Sequence, residues 1–310
     1  MWQNGVKGHL YYFLRRWLSP RKRDEIKKWL STERRRMSRV FTLLHGTYTA
    51  KELIDELKRK IPGDTEILMI HSSYDHLLPM YCGRPREIVD ELIGFCGGER
   101  TLVMPAFCLG GRRRDKKAYY RTHVFDVRKS VSEMGLLTEI FRRLPGVKRS
   151  LHPTHSICAL GPLASQLTAT HHLAATRTGK GTPFQFMAEK RCVLAGVGVE
   201  YFRALTQTHS AEDTLGKAFP VAFEQETVRV TIVDWDGNRI PYDLSIRSTS
   251  KTLDNTILHS LLKENELREW AFRGTPLFVT FADKVTKALL DAAKNGITVY
   301  GSFNPGRKSG

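Results

Sequence analysis

Two nearly continuous apolar runs, EILMIH at 66–71 and TLVMPAF at 101–107, sit one helix-length apart, and this pairing constrains the fold more than any other feature of the chain. A strand that is apolar at consecutive positions must be covered on both faces, as parallel strands are. Between the two runs, Arg84 and Pro85 precede REIVDELIGFC, where Ile88, Leu92, Ile93 and Cys96 recur at helical spacing until Gly97 and Gly98 stop them. Strand, helix, strand at this length predicts a right-handed crossover between parallel strands. Further on, MGLLTEIFRRL predicts a helix, CVLAGVGV a glycine-rich buried strand, TPLFVTF a late strand, DKVTKALLDAAKNG a helix stopped by glycine and ITVYG a last strand. Residues 227–245 differ: TVRVTIVDW alternates, Asp236-Gly237 marks a tight turn and NRIPYDL returns, which predicts an antiparallel hairpin. The expected fold is α/β, a three-layer α/β/α sandwich with a mixed central sheet over 46–310, preceded by a basic amphipathic helical extension over 1–45.

With 310 residues and 41% hydrophobic content the chain can bury one large core or two modest ones. No apolar run approaches the roughly 20 residues that span a bilayer, and the N-terminus lacks a signal-peptide pattern. Cys82, Cys96, Cys108, Cys158 and Cys192 are odd in number and mostly set among apolar neighbours, which suits free thiols in a reducing cytoplasm. The net charge of +17 points to anionic partners. Residues 1–40 alone hold twelve Lys or Arg against Asp24, Glu25 and Glu33, a net +9. Aromatic and leucine residues interleave with that charge in HLYYFLRRWLSPRKRDEIKKWL. Two readings stay open: peripheral contact with the inner face of an anionic membrane, or a basic extension packed on the domain or solvated. Nucleic acid is a weaker partner, since no binding motif accompanies the charge.

Polar groups gather where ligands of open α/β sheets bind, outside the carboxyl ends of parallel strands. His71, Ser72 and Ser73 end the first strand; AFCLGGRRRDKKAYYRTH leaves the second with six basic residues against Asp115; THSAED follows the glycine-rich strand with His209 and Glu212. In RSLHPTHSICALG at 149–161, Arg149, Ser150, His152, Thr154, His155 and Ser156 crowd ahead of a short apolar run. Pro153 pushes His152 towards an extended conformation, so this cluster reads as a loop entering a strand, either chemical or a solvated turn. If ALTQTHSAED is helical, Glu212 at i+3 shares the face of His209. His209 is then the candidate general base, because an imidazole near pKa 6.5 accepts a proton at neutral pH and a carboxylate fixes its tautomer. The competing reading is a helix-surface histidine beside an unrelated glutamate. Zinc is disfavoured for want of an HExxH or paired-cysteine signature, and a serine hydrolase for want of a GxSxG elbow.

Taken in order, IHSSYDHL at 70–77, TLVMPAF at 101–107, FDVRKSVSEMGLLTEIFRRLPGVKRSLHPTHSICALGPLA at 125–164, GTPF at 181–184, and VLAGVGV with TQTHSAED at 193–213 resemble the aminoglycoside 3-N-acetyltransferase family. The resemblance implies an α/β/α sandwich that transfers acetyl from acetyl-CoA, a cosubstrate, directly to a sugar amino group without a metal. It implies His209 as the base that frees the amine for attack on the thioester. It places His71, Ser72, Ser73 and Thr182 at the acetyl-CoA site, with Arg149, Ser150, His152 and Ser156 shaping the same cleft. The family orients its histidine with acidic residues, one of them after the hairpin; here YDLSIRSTS offers only Asp243, so Glu212 and Asp243 both stand as candidates. The acceptor departs further. Aminoglycosides are polycations, whereas RRRDKKAYYR carries a local +5, which favours an anionic acceptor such as a nucleotide- or lipid-linked amino sugar of glycan assembly. The alternative from another class is a noncatalytic member of the fold that binds membrane or nucleic acid through its basic surface.

Overall fold

The computed structural model describes residues 36–110 and 116–302, together with positions 22, 25 and 32. Most of the extension expected over 1–45, and Arg112 to Asp115 of the basic run after the second strand, lie outside the described residues. The strands that organise the fold are β1 (Ile67–Ser72), β2 (Thr101–Pro105), β3 (Val124–Asp126), β4 (Lys148–Arg149), β5 (Ile157–Leu160), β6 (Cys192–Val197), β7 (Glu224–Val233), β8 (Arg239–Ser248), β9 (Leu267–Phe272) and β10 (Thr275–Phe281). Seven of them form the central sheet in the order β4-β5-β2-β1-β6-β10-β9. β1 pairs in parallel with β2 and with β6, the register running from Ile67 opposite Cys192 to Ser72 opposite Val197.

Alternation along these strands builds the three layers. Ile67 and Met69 of β1 enter one core with Val103 of β2, Leu194 of β6 and Phe278 of β10. Leu68 and Ile70 enter the other with Leu102, Met104, Val193 and Ala195. Helices close both faces. α1 (Ala50–Lys58), α2 (Pro85–Cys96) and α3 (Leu136–Phe141) cover the second core, whereas α4 (Pro183–Ala188), α5 (Ser210–Leu215) and α6 (Ala282–Lys294) contribute to the first. Two of these helices have a visible start. Thr49 and Glu52 form a reciprocal capping box ahead of α1, and Pro85 opens α2, whose end is Gly97 in the left-handed region.

The sheet is mixed, for a different reason from the one the alternating segment suggested. Its antiparallel pairs are β2–β5 and β5–β4 at one edge, and β6–β10 and β10–β9 at the other. The predicted hairpin is β7–β8, with Asp234 accepting from the backbone of Asp236 and Asn238 at its turn, but it belongs to a separate three-stranded sheet completed by β3. ITVYG gives only Ile297–Thr298, paired with Gly301–Ser302 outside the central sheet. With two residues per arm it cannot extend a layer, but it presents Tyr300 at its turn.

Two glycines set the geometry at the end of β6. Phe278 lies over Gly196, where a Cβ would meet its ring at 2.0 Å, and the same ring stacks on His71 with centroids 6.5 Å apart. Gly198 takes φ +72° and passes so close to β1 that a Cβ would lie 2.5 Å from the Ser73 carbonyl oxygen. The chain can therefore leave β6 across the end of β1 and carry the His209 segment back over the sheet.

Candidate active site

After β6 a short helix over Tyr201–Ala204 is followed by two further elements, where one helix over ALTQTHSAED was expected. A 3-10 turn over Thr206–His209 runs directly into α5, with His209 at the junction and Glu212 in the first turn of α5. The i+3 spacing still brings the two together: His209 Nδ1 and Glu212 Oε1 are 2.9 Å apart. An ionised carboxylate only accepts, so Nδ1–H donates to Glu212 and Nε2 is left with the lone pair that could take a proton. Glu212 is almost fully buried, which alone would raise its pKa. The hydrogen bond and charge of His209, the Arg177 guanidinium and the Tyr300 hydroxyl more than offset burial and hold the carboxyl at about 2. Arg177 Nη2 donates to Oε1 at 2.6 Å and the Tyr300 hydroxyl to Oε2 at 2.7 Å. The arrangement is a fixed, ionised carboxylate behind an imidazole that keeps about a fifth of its surface exposed.

The next residue, Asp213, is buried too, and is satisfied separately. Its Oδ2 accepts from the backbone N–H of Thr178 at 2.8 Å and the Thr178 hydroxyl at 2.7 Å, and its Oδ1 accepts from Arg247 Nη1 of β8 at 2.5 Å. Asp243, the other carboxylate considered for His209, is instead half-exposed on β8 and pairs bidentately with Arg229. Two adjacent β8 facts explain this. Side chains alternate along a strand, and Arg229 stands directly opposite Asp243 in the β7–β8 register.

The 149–156 cluster is not a solvated turn. Arg149, Ser150, His152, Thr154, His155 and Ser156 are all buried. Arg149 donates from Nε to Ser156 Oγ at 3.0 Å, from Nη1 to the carbonyls of Ser130 and Val127, and from Nη2 to the Ala106 carbonyl and Cys108 Sγ, above the Phe125 ring. All five of its N–H groups are thereby used within the protein. Ser156 Oγ–H donates to the Ala106 carbonyl. His152 Nδ1 accepts from the backbone N–H groups of Thr154 and His155, and its ring lies 4.5 Å from that of His171. Thr182 caps α4, accepting from Gln185 N–H and donating to the Gly179 carbonyl.

Ser150 leads back to the His209–Glu212 pair. Its Oγ accepts from Ile157 N–H and lies 2.9 Å from His171 Nδ1, while His171 Nε2 lies 3.0 Å from the Arg177 carbonyl oxygen. A carbonyl only accepts, so Nε2 carries the ring proton and the Ser150 hydroxyl donates to Nδ1. His171 thus fixes the backbone of the residue whose guanidinium holds Glu212. Burial lowers the His155 pKa, and the charges of Arg177 and His209 lower it further, so the loop and the His209 pair share one electrostatic neighbourhood.

For acetyl-CoA, the fit rests on the end of β1. His71 is buried, its pKa is brought down by burial to about 4, and its Nε2 has no hydrogen-bond partner. It is an unspent polar atom beside the half-buried Ser72 and Ser73. Among the described residues no group of three His, Cys, Asp or Glu side chains could hold a metal ion, and no helix is long and apolar enough to cross a membrane. Arg177, His171, Asp213 and Tyr300 escaped the sequence reading. RTGKG precedes the GTPF motif and could have drawn notice to Arg177, but an arginine in so basic a chain carries no signal of its own, and Tyr300 lies 88 residues from its partner.

A family model described as aminoglycoside 3-N-acetyltransferase matches residues 69–296, more than two thirds of the chain. Similar curated proteins include aminoglycoside N(3)-acetyltransferase III of Acinetobacter baumannii, 26% identical over 240 residues that cover 71% of this chain and 82% of the relative. Another is aminoglycoside N(3)-acetyltransferase VII of Streptomyces paromomycinus, 28% identical over 225 residues, 64% of this chain and 75% of the relative. Among solved structures, aminoglycoside acetyltransferase AAC(3)-Xa superposes with a TM-score of 0.67 at 22% identity, covering 86% of this chain and 98% of its own. AAC-IIIb in binary complex with CoASH gives 0.64 at 20%, covering 80% and 97%. At these identities the structures show a shared fold.

Proposed function

Because the chain belongs to the aminoglycoside 3-N-acetyltransferase family, whose members are acetyl-CoA-dependent acyltransferases, we propose that it moves an acetyl group from acetyl-CoA directly to an amino group of an amino sugar. The observation that carries this reading is the His209–Glu212 pair, with its carboxylate held by Arg177 and Tyr300. His209 Nε2 takes the proton from the attacking amine as the new N–C bond forms. It returns that proton to the sulfur as the C–S bond breaks, so amine and thioester become amide and thiol with no other reactant. Glu212 keeps Nδ1–H in place and stabilises the imidazolium between the two transfers. His71 Nε2, Ser72 and Ser73 would hold acetyl-CoA at the end of β1.

The acceptor is an anionic amino sugar, nucleotide- or lipid-linked. A polycationic acceptor needs free carboxylates, and both acids of α5 are already paired with arginines. Residues 46–310 are the transferase unit and 1–45 an appendage. The helix Ser38–His45 packs Phe41 against the second core but has no fully buried residue, and Val40, Leu43 and Leu44 stay exposed beside Arg39, a face suited to peripheral contact with an anionic membrane surface.

Thiol release from acetyl-CoA, followed across kanamycin-type aminoglycosides and nucleotide- and lipid-linked amino sugars, tests the function. Wild type should turn over one acceptor class and His209→Ala should lose about 10²- to 10⁴-fold in kcat. Turnover that survives in His209→Ala would remove the base. CoA binding without turnover of any acceptor would leave the acceptor class wrong, and no CoA binding would favour the noncatalytic reading.

A further inference from the structure

Glu212 and Asp213 are adjacent, nearly fully buried carboxylates, and each is met by its own guanidinium, Arg177 at 2.6 Å and Arg247 at 2.5 Å. The two arginines come from different parts of the chain. Asp213 ties them into one structure, because its second oxygen is held by Thr178, the residue after Arg177. With both pairs formed, neither carboxylate is left for an incoming ammonium group, and each arginine uses a single Nη on its acid. Nε of Arg177 is buried without a hydrogen-bond partner, so the donors this arginine offers outward are those on its Nη atoms. The arginine side chains remain partly exposed, 25% for Arg177 and 15% for Arg247, close to the exposure of His209 itself. Phe223 completes the edge, its ring 6.0 Å from the Arg247 guanidinium and 5.6 Å from the Tyr300 ring. A planar cation presenting further N–H donors next to an aromatic ring is suited to a phosphate ester and poorly suited to a polycation.

We propose that Arg177 and Arg247 form an anion-binding edge beside His209 that recognises a phosphate or diphosphate group carried by the acceptor. The assignment rests on the transferase reading and deepens it, by making these two arginines the residues that set the charge of the acceptor. Arg177 has a double task. It compensates the charge of Glu212 and directs its remaining donors towards the acceptor, while His171 holds its backbone.

The experiment is calorimetric titration of the full chain, saturated with CoA so that the cofactor's own phosphates are in place. The probes are UDP, farnesyl diphosphate and kanamycin, and the proteins are wild type, R177Q, R247Q, R177K and R229Q. R229Q removes an exposed arginine of the β7–β8 hairpin and controls for surface charge. Wild type should bind at least one diphosphate saturably. R177Q and R247Q should weaken that binding at least tenfold, R229Q should not change it, and R177K, which keeps a charge beside Glu212 but loses the planar set of donors, should weaken it too even if R177Q proves unstable. UDP alone would name a nucleotide-linked acceptor, farnesyl diphosphate alone a lipid-linked one, and both the phosphate by itself. Failure of wild type to bind either diphosphate, stronger binding of kanamycin, or equal weakening in R229Q would overturn the proposal. Thiol release and CoA binding, measured on the same proteins, report separately on the transferase reading.

Discussion

A carboxylate with three donors has little orientational freedom, and Glu212 owes its fixed position to partners from three places in the chain. His209 comes from its own turn, Arg177 from 35 residues before it and Tyr300 from 88 after it. Of these, only the first is visible as a spacing. A histidine three residues ahead of a glutamate can be read off THSAED, whereas an arginine and a tyrosine that arrive through the fold cannot. The same limit let Asp243 stand beside Glu212 as a candidate, although its register partner on β7 is Arg229. Removing the Tyr300 hydroxyl deletes one charge-assisted hydrogen bond, about 1.5–3 kcal/mol. Tyr300→Phe should therefore lower kcat roughly 10- to 100-fold, if most of that loss falls on the transition state, with the KM for acetyl-CoA little changed. Steady-state kinetics check this, and a variant with a raised KM and unaltered kcat would place Tyr300 in substrate binding.

At the scale of elements, local signals predicted α2, α3 and α6 and the strands β1, β2, β6, β7, β8 and β10, because caps and apolar spacing act within a few residues. They failed where tertiary pairing overrides local pattern. TVRVTIVDW alternates as an antiparallel strand should, but nothing in it says that the hairpin leaves the central sheet to pair with the three residues of β3. Thr182 of GTPF, placed at the acetyl-CoA site by its motif, is in the structure the N-cap of α4, a role that acts within its own turn. This assignment has a measurable consequence. Thr182→Ala should cost about 1 kcal/mol of stability in chemical denaturation and leave the KM for acetyl-CoA within about twofold. A tenfold rise in that KM at unchanged stability would return Thr182 to the cofactor site.

At the scale of the whole molecule, the buried histidines make stability depend on pH. Burial brings His71 and His171 down to about 4 and lowers His152 and His155 well below their ordinary value, the charges of His171 and Arg177 helping in the first case and Arg177 foremost in the second. All four are neutral when folded, while the unfolded chain takes up protons near pH 6.5. The unfolded state thus binds more protons below 6.5, and stability should fall as pH drops from there towards 4, by up to about 1.4 kcal/mol per pH unit for each histidine. Glu212, held at about 2, adds its loss only below its unfolded value near 4.5. Denaturation curves at pH 7.5, 6 and 5 test this, and equal stability at all three would mean that the histidines are not sequestered. The sequence by itself determined the layered α/β/α plan and the parallel β1–β2 pair, and it offered Glu212 beside Asp243 as the partner of His209, because apolar runs, helical periodicity and i+3 spacing are short-range properties of the chain. Only the tertiary structure decided that RSLHPTHS is buried, that Arg177 and Tyr300 hold the Glu212 carboxylate and that Arg247 reaches its neighbour Asp213. Those contacts depend on which distant segments meet across the ends of the sheet, and no local pattern encodes that meeting.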